Sequence, residues 1–316
     1  MDHAVVDAGA RVGDSWRHRW DSLRLFTPAG ANGLPGMPMP GADRHPSKGE
    51  AADHLERYAD KFRLPAHLDS PVARLSRDSG TYVATIRGRR VQARRVVVAT
   101  GAHRRPVIPR SAGDLDRDIV QLSSTDYRSP AQLPDGPVLI VGAANSGAEI
   151  ALDIAQAGGR AVTLAGRDVG RLPKVGPWFF SAMRHVRTDV GPGRRLALHM
   201  AGRGDPLGRV RPADLAAAGV RWVGRIDGVV DGAPSRTGEY MDRPTSVVWC
   251  TGLRPDLGWL ADDLSDPVGV VPPSEILWIG WPYQRTAASH LMGGVGRDAA
   301  ALVARMTSRR VRAWSL

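Results

Sequence analysis

Apolar residues in this chain fall into short runs rather than long stripes, and most runs end at or near a glycine, as buried strands joined by tight turns do. The densest run is Val138-Leu139-Ile140-Val141, followed at once by Gly142-Ala143-Ala144-Asn145-Ser146-Gly147-Ala148-Glu149. Ile150, Ile154 and Ala155 then recur on one helical face up to Gly158-Gly159, a usual C-terminal signal. The pattern predicts strand, glycine turn and helix, with Ala161-Val162-Thr163-Leu164 as the next strand, leading to Ala165-Gly166-Arg167.

Upstream, Ala4-Val5-Val6-Asp7 reads as a strand ending in an acid, and Ala8 to Trp16 as a loop that includes Arg11. Gly30 to Pro46, rich in Gly, Pro and Met, reads as a long irregular loop, and Glu50 to Phe62 as an amphipathic helix with Leu55, Tyr58 and Phe62 on one side. Val72–Leu75, Tyr82–Ile86 and Val91–Arg94 have the spacing of an antiparallel meander. They lead into Arg95-Val96-Val97-Val98-Ala99-Thr100-Gly101, a buried strand breaking at a Thr-Gly turn. Ser246-Val247-Val248-Trp249-Cys250-Thr251-Gly252 repeats that pattern and suggests paired architecture. A last strand, Ile276 to Gly280, precedes Gly296-Arg297-Asp298 and a C-terminal helix through Arg305.

The Val138–Glu149 stretch has the order of a dinucleotide site. Gly142 makes the tight turn, Gly147 lets the helix pack close to the strand, and the helix start offers free N–H groups to a pyrophosphate. Asn145 and Ser146 suit helix capping and phosphate binding together. Where an NAD enzyme places an acid for the ribose hydroxyls, this chain has Arg167, which suits a 2′-phosphate and favours NADPH. The middle position of the fingerprint is Ala144, whose methyl group crowds the closest approach of backbone to pyrophosphate. The bland reading of the same stretch is an ordinary strand–helix unit that binds nothing.

A length of 316 residues and 42% hydrophobic residues suit two ordinary domains with a substantial core. No run nears the ~18 apolar residues of a membrane span, and the first residues do not read as a signal peptide, so a cytoplasmic location is expected. The single cysteine, Cys250, excludes an internal disulfide, a dithiol redox pair and a cysteine-rich zinc site. His185, His199 and His290 lack partners at metal or triad spacing and read as structural or exposed, and no metal site is expected. The net charge of +11 raises nucleic acid as a partner, yet three of the 43 Lys and Arg residues are lysines, leaving 40 scattered arginines. Arg87, Arg89, Arg90, Arg94 and Arg95 lack interleaved aromatic residues, so non-specific attraction to polyanions is the expectation rather than a specific nucleic-acid site.

Gly13-Asp14-Ser15-Trp16, the Asn145-Ser146-Gly147 turn, both Thr-Gly strand ends and Gly296-Arg297-Asp298 together resemble the flavin-containing monooxygenase-like flavoproteins, over nearly the whole chain. The resemblance implies an α/β fold of two nested Rossmann-like dinucleotide-binding domains with an antiparallel β meander. An FAD-type domain (residues 1–131 and 250–316) is interrupted by an NADPH-binding domain (132–249). It implies FAD at Asp7, Arg11, Trp16, Thr100, Gly101, Thr251, Gly252 and Asp298, and NADPH at Gly142, Ala144, Asn145, Ser146, Gly147 and Arg167. The implied reaction is NADPH reduction of flavin, oxygen capture as a C4a-(hydro)peroxyflavin, and transfer of one oxygen atom from O2 to a small-molecule substrate.

Such proteins begin with a strand, glycine-rich turn and helix for the FAD pyrophosphate. Here only six residues precede Asp7, where such a unit takes about 30. A start site placed too far downstream, or a fragment, is expected ahead of a natural truncation. The family's inter-domain signature has a histidine where this chain has Ser123, while Tyr127 fits its aromatic position; no catalytic residue is assigned. Asp7 also reads as a surface acid, Trp16 as core filler and Arg167 as a solvated arginine. Trp178, Phe179, Phe180, Trp281 and Tyr283 hint at an apolar substrate and fit a flavin lining or core equally. The alternatives to a monooxygenase are an NADPH oxidase or reductase without oxygen transfer, and a non-catalytic NADP-binding remnant.

Overall fold

The computed structural model describes residues 2–173, 175–203, 205–237, 241–264 and 276–307. In chain order the elements begin with β1 (Val5–Val6), α1 (Asp14–Arg17), α2 (Lys48–Lys61), β2 (Ala66–His67), β3 (Val72–Asp78), β4 (Thr81–Ile86) and β5 (Arg89–Ala93). They continue with β6 (Val97–Val98), β7 (Arg105–Pro106), β8 (Val120–Ser123), β9 (Val138–Val141), α3 (Asn145–Ala157), β10 (Val162–Ala165), α4 (Pro177–Met183) and α5 (Gly191–Arg203). The rest are α6 (Pro212–Ala217), β11 (Arg221–Val223), β12 (Gly228–Val230), β13 (Ala233–Ser235), β14 (Ser246–Trp249), β15 (Leu253–Arg254), β16 (Leu277–Trp278) and α7 (Val295–Thr307).

The centre is a five-stranded sheet in the order β11-β10-β9-β14-β8, parallel at every pairing. All four residues of β9 and of β14 are buried, as strands covered on both faces must be. Val138, Ile140 and Val248 pack on the α3 side with Ala148, Ile150 and Ile154. Leu139, Val141, Val247 and Trp249 alternate to the opposite face with Leu115 and Ile119. The sheet takes in β8, upstream of residue 132.

β9 connects through α3 to β10 on one side, whereas its other neighbour is β14, so the winding direction reverses between β9 and β14. Ligands bind outside the carboxyl ends of strands at such a reversal. Val141-Gly142 and Trp249-Cys250 therefore border the crevice.

The remaining strands form smaller sheets. β1 pairs with β2 and β6 with β16, both parallel, and β3-β4-β5 is the antiparallel meander that the alternation predicts. Val5 and Val6 remain 45% and 38% exposed, so the β1–β2 pair lacks the two-sided cover of the central sheet. β7 pairs with β15 and ties together the segments that follow the two Thr-Gly turns.

Two local expectations are corrected. The segment expected as loop up to Trp16 contains α1, which the Arg11 N–H stabilises by donating to the Asp14 carboxylate at 2.9 Å. On α2 the buried residues are Ala51, Ala52 and His54, and Phe62 is exposed. The reason is close packing: Gly13, at φ 88°, lies so near that a Cβ there would fall 2.8 Å from the Ala52 backbone, which admits only small side chains.

Candidate dinucleotide site

β9 ends in Gly142, at φ 112°, where an added Cβ would stand 2.2 Å from the Cys250 carbonyl oxygen. A Cβ on Gly147 would stand 1.8 Å from the Gly142 carbonyl oxygen. Both positions thus exclude any side chain, and the first turn of α3 sits directly on the strand end. A Cβ on Gly166, after β10, would stand 2.6 Å from the Ala143 nitrogen. The Gly166 N–H donates to Val223 and its carbonyl accepts from the Trp222 indole at 3.0 Å, so the approach to Arg167 is held rigidly.

Ala144 is the N-cap residue, in extended conformation, and the first helical bond runs from the Ala148 N–H to the Ala144 carbonyl. The N–H groups of Asn145, Ser146 and Gly147 precede it and point out of the helix start. The expected capping role of Asn145 is corrected: its Nδ2 donates to the Pro206 carbonyl at 3.1 Å and its Oδ1 accepts from the Gly208 N–H at 2.9 Å. It fastens a loop from beyond α5 beside the helix start instead of capping the helix. Such long-range partners carry no local sequence signal. Arg167 is exposed at the rim.

On the other side of the fold, Asp7 is exposed and closes β1, its Oδ1 accepting from the Gly9 N–H at 2.7 Å. Arg11 is engaged with Glu56, at 2.9 Å, which also accepts from Arg17. Trp16 packs half-buried on the central core. Thr100 is exposed, and Gly101 and Gly252 both have left-handed backbones with no atom within 4 Å of a built Cβ, so both turns face open space. The Thr251 hydroxyl donates to the Val107 carbonyl. Asp298 lies in the first turn of α7, 5% exposed; burial raises its pKa, opposed by the neighbouring Ser289 hydroxyl and Arg285.

Ser123, at the end of β8, donates through Oγ to Asp126 at 2.6 Å and shapes the turn into Tyr127. Tyr127 is fully buried and donates to Asp153 on α3 at 2.6 Å; burial and that carboxylate raise its pKa, so the phenol stays neutral.

Two of the histidines have structural or exposed settings. His185 Nδ1 lies 2.8 Å from Arg297 Nη1, and His290 stacks edge-on with Tyr283, centroids 5.5 Å apart. Burial lowers the His290 pKa and leaves it neutral, while burial and Asp205 push the Tyr283 phenol up to about 12. The side chain of His199 lies outside the described residues. The aromatic set does not form one lining. Phe180 and Trp281 are buried in separate clusters, and Trp178 is 69% exposed.

A cavity of about 280 Å³ lies against α3 on the side of Glu149 and Asp153, bordered by Leu23, Arg24, Ser47 and Arg209. Burial raises the Glu149 pKa, opposed by Arg209 at 3.4 Å. Among the described residues no group of three potential metal ligands occurs, and no helix is long and apolar enough to cross a membrane.

A parallel sheet reversing its winding at a glycine-packed helix start defines a nucleotide-binding protein of the Rossmann class. The family model for pyridine nucleotide-disulphide oxidoreductases matches residues 1–184. An uncharacterized CzcO-like oxidoreductase of Geobacillus kaustophilus is 33% identical over 319 residues, 95% of this chain and 90% of the relative. Indole-3-pyruvate monooxygenase YUCCA1 of Oryza sativa subsp. japonica is 29% identical over 175 residues, 54% of this chain and 43% of the relative. Among solved structures, a double mutant of the flavin monooxygenase from Stenotrophomonas maltophilia superposes with a TM-score of 0.77 at 27% identity, covering 97% of this chain and 91% of the other. The chain belongs to the pyridine nucleotide-disulphide oxidoreductase family and is an oxidoreductase of the flavin monooxygenase type.

Proposed function

We propose that this protein is an FAD- and NADPH-dependent monooxygenase that transfers one oxygen atom from O2 to a small molecule. The observation that carries the nucleotide part is the Gly142–Gly147 contact, where no side chain fits and the N–H groups of Asn145, Ser146 and Gly147 face outward. Arg167 stands after the second strand of that unit, where a cation pairs with the 2′-phosphate of NADPH. Ala144 puts a methyl group at the closest approach.

The open left-handed turns at Gly101 and Gly252 and the buried carboxyl of Asp298 fit a second, larger ligand. Asp7 would take the ribose of FAD, the two turns would pass its backbone-facing groups, and Asp298 would supply a hydrogen-bond partner for it. FAD, when bound, would supply the redox chemistry between NADPH and oxygen. This chain's residues bind and orient: α3 presents dipole and N–H groups to the pyrophosphate, and Tyr127, locked to Asp153, holds β8 against α3.

One observation favours a second reading. The Ser123 hydroxyl is committed to Asp126, so that position offers no imidazole. Oxygen would then take electrons without transfer to a substrate, as in an NADPH oxidase.

The test is the visible flavin absorption of the full chain after incubation with excess FAD and desalting. One flavin per chain, bleached by NADPH in the absence of oxygen, is the expected result, with Arg167→Ala slowing NADPH and not NADH. A folded protein that binds NADP+ and retains no flavin would overturn the monooxygenase reading. Hydrogen peroxide formed in full equivalence to NADPH, across candidate substrates, would select the oxidase.

A further inference from the structure

Arg19 is half-buried, yet among the described residues its guanidinium meets no carboxylate. Its side-chain bond runs from Nη2 to the carbonyl oxygen of His103, at 3.4 Å, beside Arg104. The Asp21 N–H donates to the carbonyl of Arg128 at 2.7 Å, which sets that residue alongside the same segment. Asp21 itself is paired with Lys48 at 2.7 Å, and the Lys48 ammonium also donates to the Arg19 carbonyl. The Arg128 guanidinium donates to the carbonyls of Thr125 and Tyr127, at 2.5 and 2.9 Å. Arg104 is exposed; its N–H donates to the Arg254 carbonyl at 3.0 Å, and among the described residues its guanidinium has neither hydrogen bond nor ion pair.

The segments carrying Arg19, Arg104 and Arg128 thus touch just beyond Trp16, the Gly101 turn and the buried Tyr127, and the other two charges act on Arg19. Burial lowers the Arg19 pKa, and Arg104 and Arg128 push it the same way. Like charges brought together in partly buried surroundings cost free energy unless an anion joins them.

We propose that Arg19, Arg104 and Arg128 form a binding site for a phosphate group, distinct from the α3 helix start. Planar guanidinium forks supplied by three segments match a tetrahedral oxyanion through paired N–H donors. The phosphate comes from one of the two dinucleotides or from a phosphorylated substrate. The site stands independently of the monooxygenase reading, because it can be measured without flavin or NADPH.

The experiment titrates inorganic pyrophosphate into the full 316-residue chain by calorimetry. Saturable binding that weakens as salt rises is expected. Arg104→Ala, which removes no protein bond, should weaken it about tenfold, and Arg104→Lys by less, since it keeps charge without the fork. Arg19→Ala with Arg104→Ala should abolish it, whereas Arg89→Ala with Arg90→Ala, an equal loss of charge on the exposed β5, should leave it unchanged. No binding by the parent chain, or equal affinity in both double variants, would overturn the site. FAD retention and NADP+ affinity of the Arg19/Arg104 variant then name the source: loss of either assigns the phosphate to that dinucleotide, and retention of both assigns it to a third ligand.

Discussion

At Gly147 a single methyl group would collide with the Gly142 carbonyl oxygen at 1.8 Å, so α3 and β9 could not both keep their places. Gly147→Ala is expected to cost about 3 kcal/mol, the upper part of the range for overpacked sites, measured by urea unfolding. It should also lose NADP+ binding; a variant with parent stability and affinity would refute the close contact. Cys250 illustrates a second residue-scale consequence. Its thiol is buried and burial pushes it up to about 12, so it stays protonated and inert. Aromatic disulfide reagents should fail to label the native protein and should label it at once in denaturant, and Cys250→Ala should leave NADPH-driven chemistry in place. Both glycines were legible from their spacing alone. The engagement of Asn145 by Pro206 and Gly208 was not, because residues 61 and 63 positions away in sequence decide it.

At the scale of elements, α2 begins in a capping box: the Glu50 N–H donates to Ser47 Oγ, and the Ser47 N–H donates to the Glu50 carboxylate at 2.8 Å. Arg44 is the larger influence on Glu50, and with the Ser47 N–H it holds the carboxyl pKa near about 2. A folded-state pKa below the unfolded value means stability that is present above the ordinary carboxylate pKa and is lost as pH falls toward 2. Acid unfolding followed by helical circular dichroism should therefore shift to higher pH in Glu50→Ala, since the charged partner is gone. Ser47→Ala should cost about 1 kcal/mol at neutral pH; no change in either variant would show that the cap contributes nothing. The helix itself was readable from periodicity, but its inward face was not. Leu55, Tyr58 and Phe62 make the larger apolar stripe, and the proximity of Gly13 turns the small residues Ala51 and Ala52 inward instead.

For the whole molecule, a net charge of +11 predicts attraction to polyanions without base readout. Two unrelated DNA duplexes should bind with equal affinity that falls steeply between about 50 mM and 200 mM salt; a sequence preference would contradict the absence of a stacking surface. The sequence by itself determined the strand–turn–helix unit, the meander, both Thr-Gly turns and the dinucleotide class. Each is encoded within a few neighbouring residues, through apolar period and the backbone freedom of glycine. Only the tertiary structure decided that β8 joins the central sheet, that the winding reverses between β9 and β14, and that Phe180 and Trp281 belong to separate cores. It alone gathered Arg19, Arg104 and Arg128 from segments far apart in the chain. Pairing partners and charge clusters arise from chain crossings, and a crossing leaves no trace in local composition, because the free energy that selects it is shared among residues distant in sequence.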